Sequence, residues 1–193
     1  RGSTTRTPGW IGGTINQNQV NQTQQEMEFI KRFEDRAPVY AKVYREPIVN
    51  RFANVGGGKE TEMFERGKFF SNVYELYMYA AMLGLKKNYR LPLEGVETQK
   101  FIEIRDWKTS NELVRFIEMA LIARSSFDLN ELESMEETQV ERCLTELKDL
   151  LEEYANGGFD LISTKVEEEP YFFDSEYCFV NLLEDLSSTQ NNR

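Results

Sequence analysis

FFSNVYELYMYAAMLGL, residues Phe69 to Leu85, is the stretch that decides the fold. Val73, Leu76, Tyr77, Ala80 and Leu83 recur at helical spacing, and the opposite side of the same helix is apolar too. Glu75 is its one charge. A helix that is apolar nearly all round has no side fit for water and must be covered by its neighbours. The segment therefore predicts a buried central helix, N-capped by Ser71 and C-capped by Gly84. Lys86, Lys87 and Arg90 follow it, where cations complement the negative end of a helix. Pro92 closes the segment.

Downstream, Thr109-x-x-Glu112 has the spacing of a capping box, opening a helix with Leu113, Phe116, Ile117, Ala120 and Leu121 on one face. A longer helix is expected from about Leu129 to Tyr154, with Val140, Cys143, Leu144, Leu147, Leu150, Leu151 and Tyr154 as its apolar stripe. Asn156-Gly157-Gly158 is expected to end or kink it. An aromatic segment, Tyr171 to Leu186, suits a last helix after the break at Pro170. Phe101 to Arg105 alternates briefly and fits either an extended piece or a helical turn.

Upstream, a short helix from Glu26 carries Met27, Phe29, Ile30 and Phe33 before Pro38. Val39 to Asn50, interrupted by Pro47, is expected to be extended or irregular. Gly56-Gly57-Gly58 marks a flexible turn. Residues 1–25 contain a Gln/Asn-rich tract with few apolar anchors, read as disordered or, at Arg1-Gly2-Ser3, as a cloning remnant. The fold expectation is all-α: a compact helical bundle around one buried helix over 26–186, then a polar tail over 187–193.

The composition narrows function. The 193 residues carry 23 basic and 33 acidic side chains and no histidine, which removes the commonest proton shuttle and metal ligand. Two cysteines, Cys143 and Cys178, cannot build a four-cysteine zinc site, and both sit among apolar residues. No run of about 18 apolar residues could span a membrane, and no signal-peptide core is present, so the expected location is cytoplasmic. Charge is split: residues 1–100 carry a net +4 and residues 101–193 a net −14.

Motif tests point away from catalysis. Gly56-Gly57-Gly58-Lys59-Glu60-Thr61 fails as a phosphate loop, since Ala53 stands where the first glycine is needed and Glu60 where the magnesium-binding Ser or Thr belongs. Glu133, Glu137 and Glu141 follow one another at i,i+4, but without histidine or a second ligand strand they read as an exposed acidic face. Adjacent pairs such as Glu152 and Glu153 point about 100° apart and do not converge. No catalytic residue, metal or cofactor is expected, and a metal-dependent nuclease ranks last. A DNA-contacting patch of Lys86, Lys87, Tyr89 and Arg90 is the alternative, with Arg45, Arg51, Arg66 and Lys68 upstream.

Two stretches carry a family resemblance. Tyr79-Ala80-Ala81-Met82-Leu83-Gly84-Leu85-Lys86-Lys87-Asn88-Tyr89-Arg90-Leu91-Pro92-Leu93 is an apolar helix ending in a small-residue pattern, then cations, then proline. Leu151-Glu152-Glu153-Tyr154-Ala155-Asn156-Gly157-Gly158-Phe159 follows downstream. In this order and spacing they resemble the small proteins encoded beside Dnd DNA-phosphorothioation genes, over about residues 69–162. The resemblance implies a place in bacterial DNA modification and restriction against phage. The charge split and the absent catalytic residues add the expectation of a non-enzymatic accessory subunit of such a DNA-modification or anti-phage defence complex, docking a larger ATPase or nuclease. The acidic face of Glu133, Glu137, Glu141, Glu152 and Glu153 is the expected partner-binding surface.

Overall fold

The computed structural model describes residues 17–55, 68–108 and 111–188. Helix α1 (Gln17–Glu34) leads into strand β1 (Val39–Ala41) and a series of helical turns over 42–52. Helix α2 (Val73–Lys87) is followed by strand β2 (Thr98–Lys100), helix α3 (Asn111–Ile122), a 3-10 turn (Leu129–Ser134), helix α4 (Glu137–Glu168) and helix α5 (Cys178–Ser188). The expected triglycine turn, Arg66, the Thr109 end of the expected capping box, residues 1–16 and the tail over 189–193 lie outside the described residues.

The all-α bundle expected from the sequence is the architecture observed, and α2 is its buried centre. Leu76, Tyr77, Met78, Ala80, Ala81 and Leu83 are all buried. The N-cap is Asn72 rather than Ser71, whose backbone N–H instead donates to Glu75. Gly84 is not a cap either. The helix continues to Lys87 and ends at Asn88, which takes the left-handed conformation at φ 49°. Asparagine tolerates that region better than most residues with a Cβ. The N–H of Tyr89 then reaches back to the Gly84 carbonyl at 2.9 Å.

Gly84 is needed inside the helix. A Cβ there would lie 2.0 Å from the Tyr154 carbonyl oxygen of α4, and a Cβ on Gly158 would lie 1.8 Å from the Ala80 oxygen of α2. The two helices therefore cross with backbone against backbone. This overturns the reading of Gly157-Gly158 as a terminator: α4 runs unbroken through them for 32 residues. It is about 48 Å long at 1.5 Å per residue. The glycines cost helix propensity, about 1 kcal/mol each, and the close crossing offsets it. The helix begins at Glu137, not Leu129, with Glu136 and Gln139 forming the capping box.

Two aromatic clusters fill the space on either side of the crossing. Tyr40, Tyr77, Phe101, Trp107 and Phe159 form one, with Tyr77 and Phe101 stacked at 5.3 Å. Phe52, Phe69, Phe70, Tyr79, Phe173 and Phe179 form the other, beneath α5. Cys143 and Cys178 are buried, and burial pushes both thiols up, so they stay protonated packing groups.

Two further departures concern the N-terminal third. The polar tract expected to lack structure through Gln25 is helical from Gln17, and Gln22 donates to Asn130 at 2.9 Å on the turn beside α4. Within Val39 to Asn50, expected to be extended or irregular, the extended part pairs as a small antiparallel sheet, Val39 opposite Lys100 and Ala41 opposite Thr98, and the departure is the run of helical turns that follows it. In this pair Lys42 and Phe101 supply the flanking cross-strand bonds, so the N–H groups of Val39 and Ala41 face away from β2.

Candidate partner-binding surface

Those outward N–H groups explain the most unexpected of the acidic residues. Glu152 Oε1 accepts the Val39 N–H at 2.7 Å, and Asn156 Oδ1 accepts the Ala41 N–H at 3.4 Å. Spaced i,i+4 on α4, the two side chains close the open edge of β1 as a further strand would. Lys148 also pairs with Glu152 at 2.6 Å. Glu152 is buried, and burial holds its carboxyl above the usual range against the pull of Lys148. It was expected on the outer acidic face and instead lies inside the fold. Glu152→Ala would leave the Val39 N–H without its acceptor, at an expected cost of about 2–3 kcal/mol in urea unfolding. Glu152→Gln, which keeps an acceptor oxygen, should recover most of that loss.

The other expected site residues are scattered. Glu133 lies exposed on the 3-10 turn, beside Asn21, Gln24 and Glu28 of α1. The i,i+4 series Glu133, Glu137, Glu141 is not one helical face, because the chain switches from 3-10 to α geometry between Glu133 and Glu137. Glu137 and Glu141 each take Arg32 of α1 at 2.5 Å, and Glu141 also takes Arg36 at 2.5 Å. Hydrogen bonds from Arg36 and Arg32 hold the Glu141 carboxyl below its ordinary range. These arginines were missed in the sequence, although Arg32 and Arg36 are themselves i,i+4 on α1 and its C-terminal flank.

Glu153 lies further along α4 and lines one surface groove together with Glu141. It pairs with Arg90, whose guanidinium lies 5.7 Å from the centre of the Tyr154 ring. Arg124 approaches the same ring at 5.9 Å. These groups open onto a surface groove of about 710 Å³ between the end of α3 and α4, where Arg142, Glu146 and Asp149 also lie. Glu146 is fixed by the N–H and hydroxyl of Ser126 at 2.6 and 2.7 Å. The groove thus mixes both signs of charge.

Three of the four residues of the basic patch are held within the fold. Lys86 donates to the Leu183 carbonyl of α5 at 2.7 Å. Tyr89 donates to Asp160 at 2.9 Å, and Tyr44 donates to the other oxygen of the same carboxylate at 3.1 Å. That hydrogen bond, then burial, raises the Tyr89 phenol. Arg90 is held by Glu153, and Lys87 is half-buried in the last turn of α2. Upstream, Arg51 lies over the Phe52 ring at 4.8 Å and Lys68 donates to the Asn50 carbonyl.

The two sequence stretches that carried the resemblance meet each other here. Ala80, Gly84, Asn88, Tyr89, Arg90 and Leu91 of the first touch Tyr154, Asn156, Gly157, Gly158 and Glu153 of the second, through the helix crossing and the turn that follows α2. Tyr154 donates to Asn88 at 3.1 Å, and Asn156 donates to the Leu91 carbonyl at 3.3 Å. A sequence model for the family described as DNA sulphur modification system-associated protein 4 matches residues 60–192. The chain belongs to that family. Membership associates the chain with a DNA sulphur modification system, and the two stretches that build the α2–α4 crossing both lie within the matched residues. No curated protein and no solved structure matches the chain. Among the described residues, no helix is long and apolar enough to cross a membrane.

Proposed function

We propose that this protein is a non-enzymatic accessory subunit of a bacterial DNA sulphur modification and anti-phage defence complex. It works in the cytoplasm by docking a basic surface of a larger ATPase or nuclease subunit. Family membership supports the setting. The observation that carries the docking reading is the geometry of the ion pairs between α1 and α4. The Glu137 side chain is 72% exposed while that of its partner Arg32 is 28% exposed. The pair therefore presents its carboxylate outward and covers its guanidinium, and Glu133 extends the same acidic border. A surface of this sign steers a basic partner and suppresses contact with nucleic acid.

The test is a tagged purification from the native host, followed by a binding titration with the subunit recovered. Glu133→Lys with Glu137→Lys is expected to weaken binding at least tenfold and to flatten its salt dependence. Unchanged affinity in a variant that melts normally would sink the docking reading. Recovery of DNA alone, lost on replacing Lys87 and Arg90, would instead favour the basic patch.

A further inference from the structure

A second exposed surface lies at the corner joining α4 to α5, away from the ion pairs of α1. Here Phe173 and Phe179 turn inward against Phe52 at 4.8 and 5.2 Å. Their neighbours turn outward: Tyr171 is 84% exposed, Tyr177 64% and Val180 56%. Large side chains in such positions gain nothing from the core and are a surface cost in a lone protein. The local sequence around them is one-signed, while Arg51 of the upstream turns approaches Cys178 from the Phe52 side. From Val166 to Asp185 the chain carries seven carboxylates and no lysine or arginine. The cation bordering this run, Lys165, is taken by Glu169 at 2.7 Å and Asp185 at 3.6 Å.

Lys165 also shows what the corner does with a cation. Its Nζ lies 4.3 Å from the centre of the Phe172 ring while its charge is held by the two carboxylates. An aromatic face with flanking acids is the arrangement that favours a guanidinium over an ammonium. The planar group stacks on the ring and forks onto a carboxylate at the same time. We infer that the Tyr171–Val180 corner is a docking surface for an arginine-rich segment of a partner protein, engaged by stacking on Tyr171 and Tyr177 within the surrounding carboxylates. It stands apart from the acidic edge of α4, so either surface can fail without the other.

The test uses the full chain with nona-arginine and nona-lysine as probes, followed by amide chemical-shift mapping and calorimetric titration. Expected are shifts centred on residues 167–184 and at least threefold tighter binding of nona-arginine. In Tyr171→Ser with Tyr177→Ser the preference should fall to about one while the melting temperature is kept, because neither ring is part of the core. Glu133→Lys with Glu137→Lys should leave the preference intact. Equal binding of the two peptides, shifts centred on residues 131–149, or a preference that survives the loss of both tyrosines would overturn the inference. A concentration-dependent dimer abolished by the same tyrosine changes would also overturn it, by making the occupant a second copy.

Discussion

Gly158→Ala is expected to destabilise the protein by about 3 kcal/mol or more, with the midpoint of urea unfolding as the readout. The sign of the effect is the test. In an open helix position the same substitution would stabilise by about 1 kcal/mol, because alanine is the better helix former. Here the added methyl would lie 1.8 Å from the Ala80 carbonyl oxygen and 2.4 Å from its carbon. Neither atom can swing aside as a side chain would, since both belong to the backbone of α2. The helices must separate, and separation loosens every contact packed between them. Gly84→Ala meets the Tyr154 carbonyl at 2.0 Å and is expected to behave alike. A stabilised Gly158→Ala protein would mean that the helices do not cross this closely.

That crossing also shows where reading the sequence reached its limit. The buried helix was legible because its apolar character is a property of one segment: Val73 to Leu85 leaves no side for water whatever lies around it. The role of the glycines was not, because a glycine that ends a helix and a glycine that admits a neighbour's backbone look the same within their own segment. The discriminating fact is shared between two segments far apart in the chain, Ala80 and Gly84 on one and Gly158 on the other. Glu152 was misplaced for the same reason. It sits in a run rich in exposed acids, and only the free N–H of Val39, on a strand formed far upstream, draws it inside. The broken register of Glu133 against Glu137 and Glu141 was a local failure: Glu136-x-x-Gln139 is a capping box in acidic dress and went unread as a helix start. Tyr171 and Tyr177 were hidden by company, since aromatic neighbours in the same run do form core and no simple period separates the two sets.

The second large effect is expected from Glu118, and it depends on pH. Glu118 lies on the buried side of α3, 3% exposed, and its Oε1 has no hydrogen-bond partner among the described residues. Burial, and next the negative charge of Glu34 on α1, push its carboxyl up to about 7, with Arg115 pulling the other way. The folded protein therefore holds a proton that the unfolded chain, with an ordinary carboxyl near 4.5, has already released. Stability from this group is fully present below about pH 4.5 and is lost as pH rises through about 7. The loss is roughly 2–3 kcal/mol, the worth of a shift of this size after allowance for solvent. Glu118→Gln keeps the shape and never ionises. It should be the more stable protein at pH 8 by about that amount, and the advantage should shrink toward zero near pH 4.5. Glu141 tilts the wild-type curve oppositely, since Arg36 and Arg32 favour its ionised form and that contribution fades as pH falls through its lowered range. Glu152, raised by burial, tilts it in the same direction as Glu118. Both terms are common to the wild type and Glu118→Gln, so the difference between their unfolding free energies isolates Glu118. A difference that stays constant from pH 4.5 to pH 8 would show that Glu118 binds its proton equally in the folded and the unfolded protein, so that its burial does not raise the carboxyl.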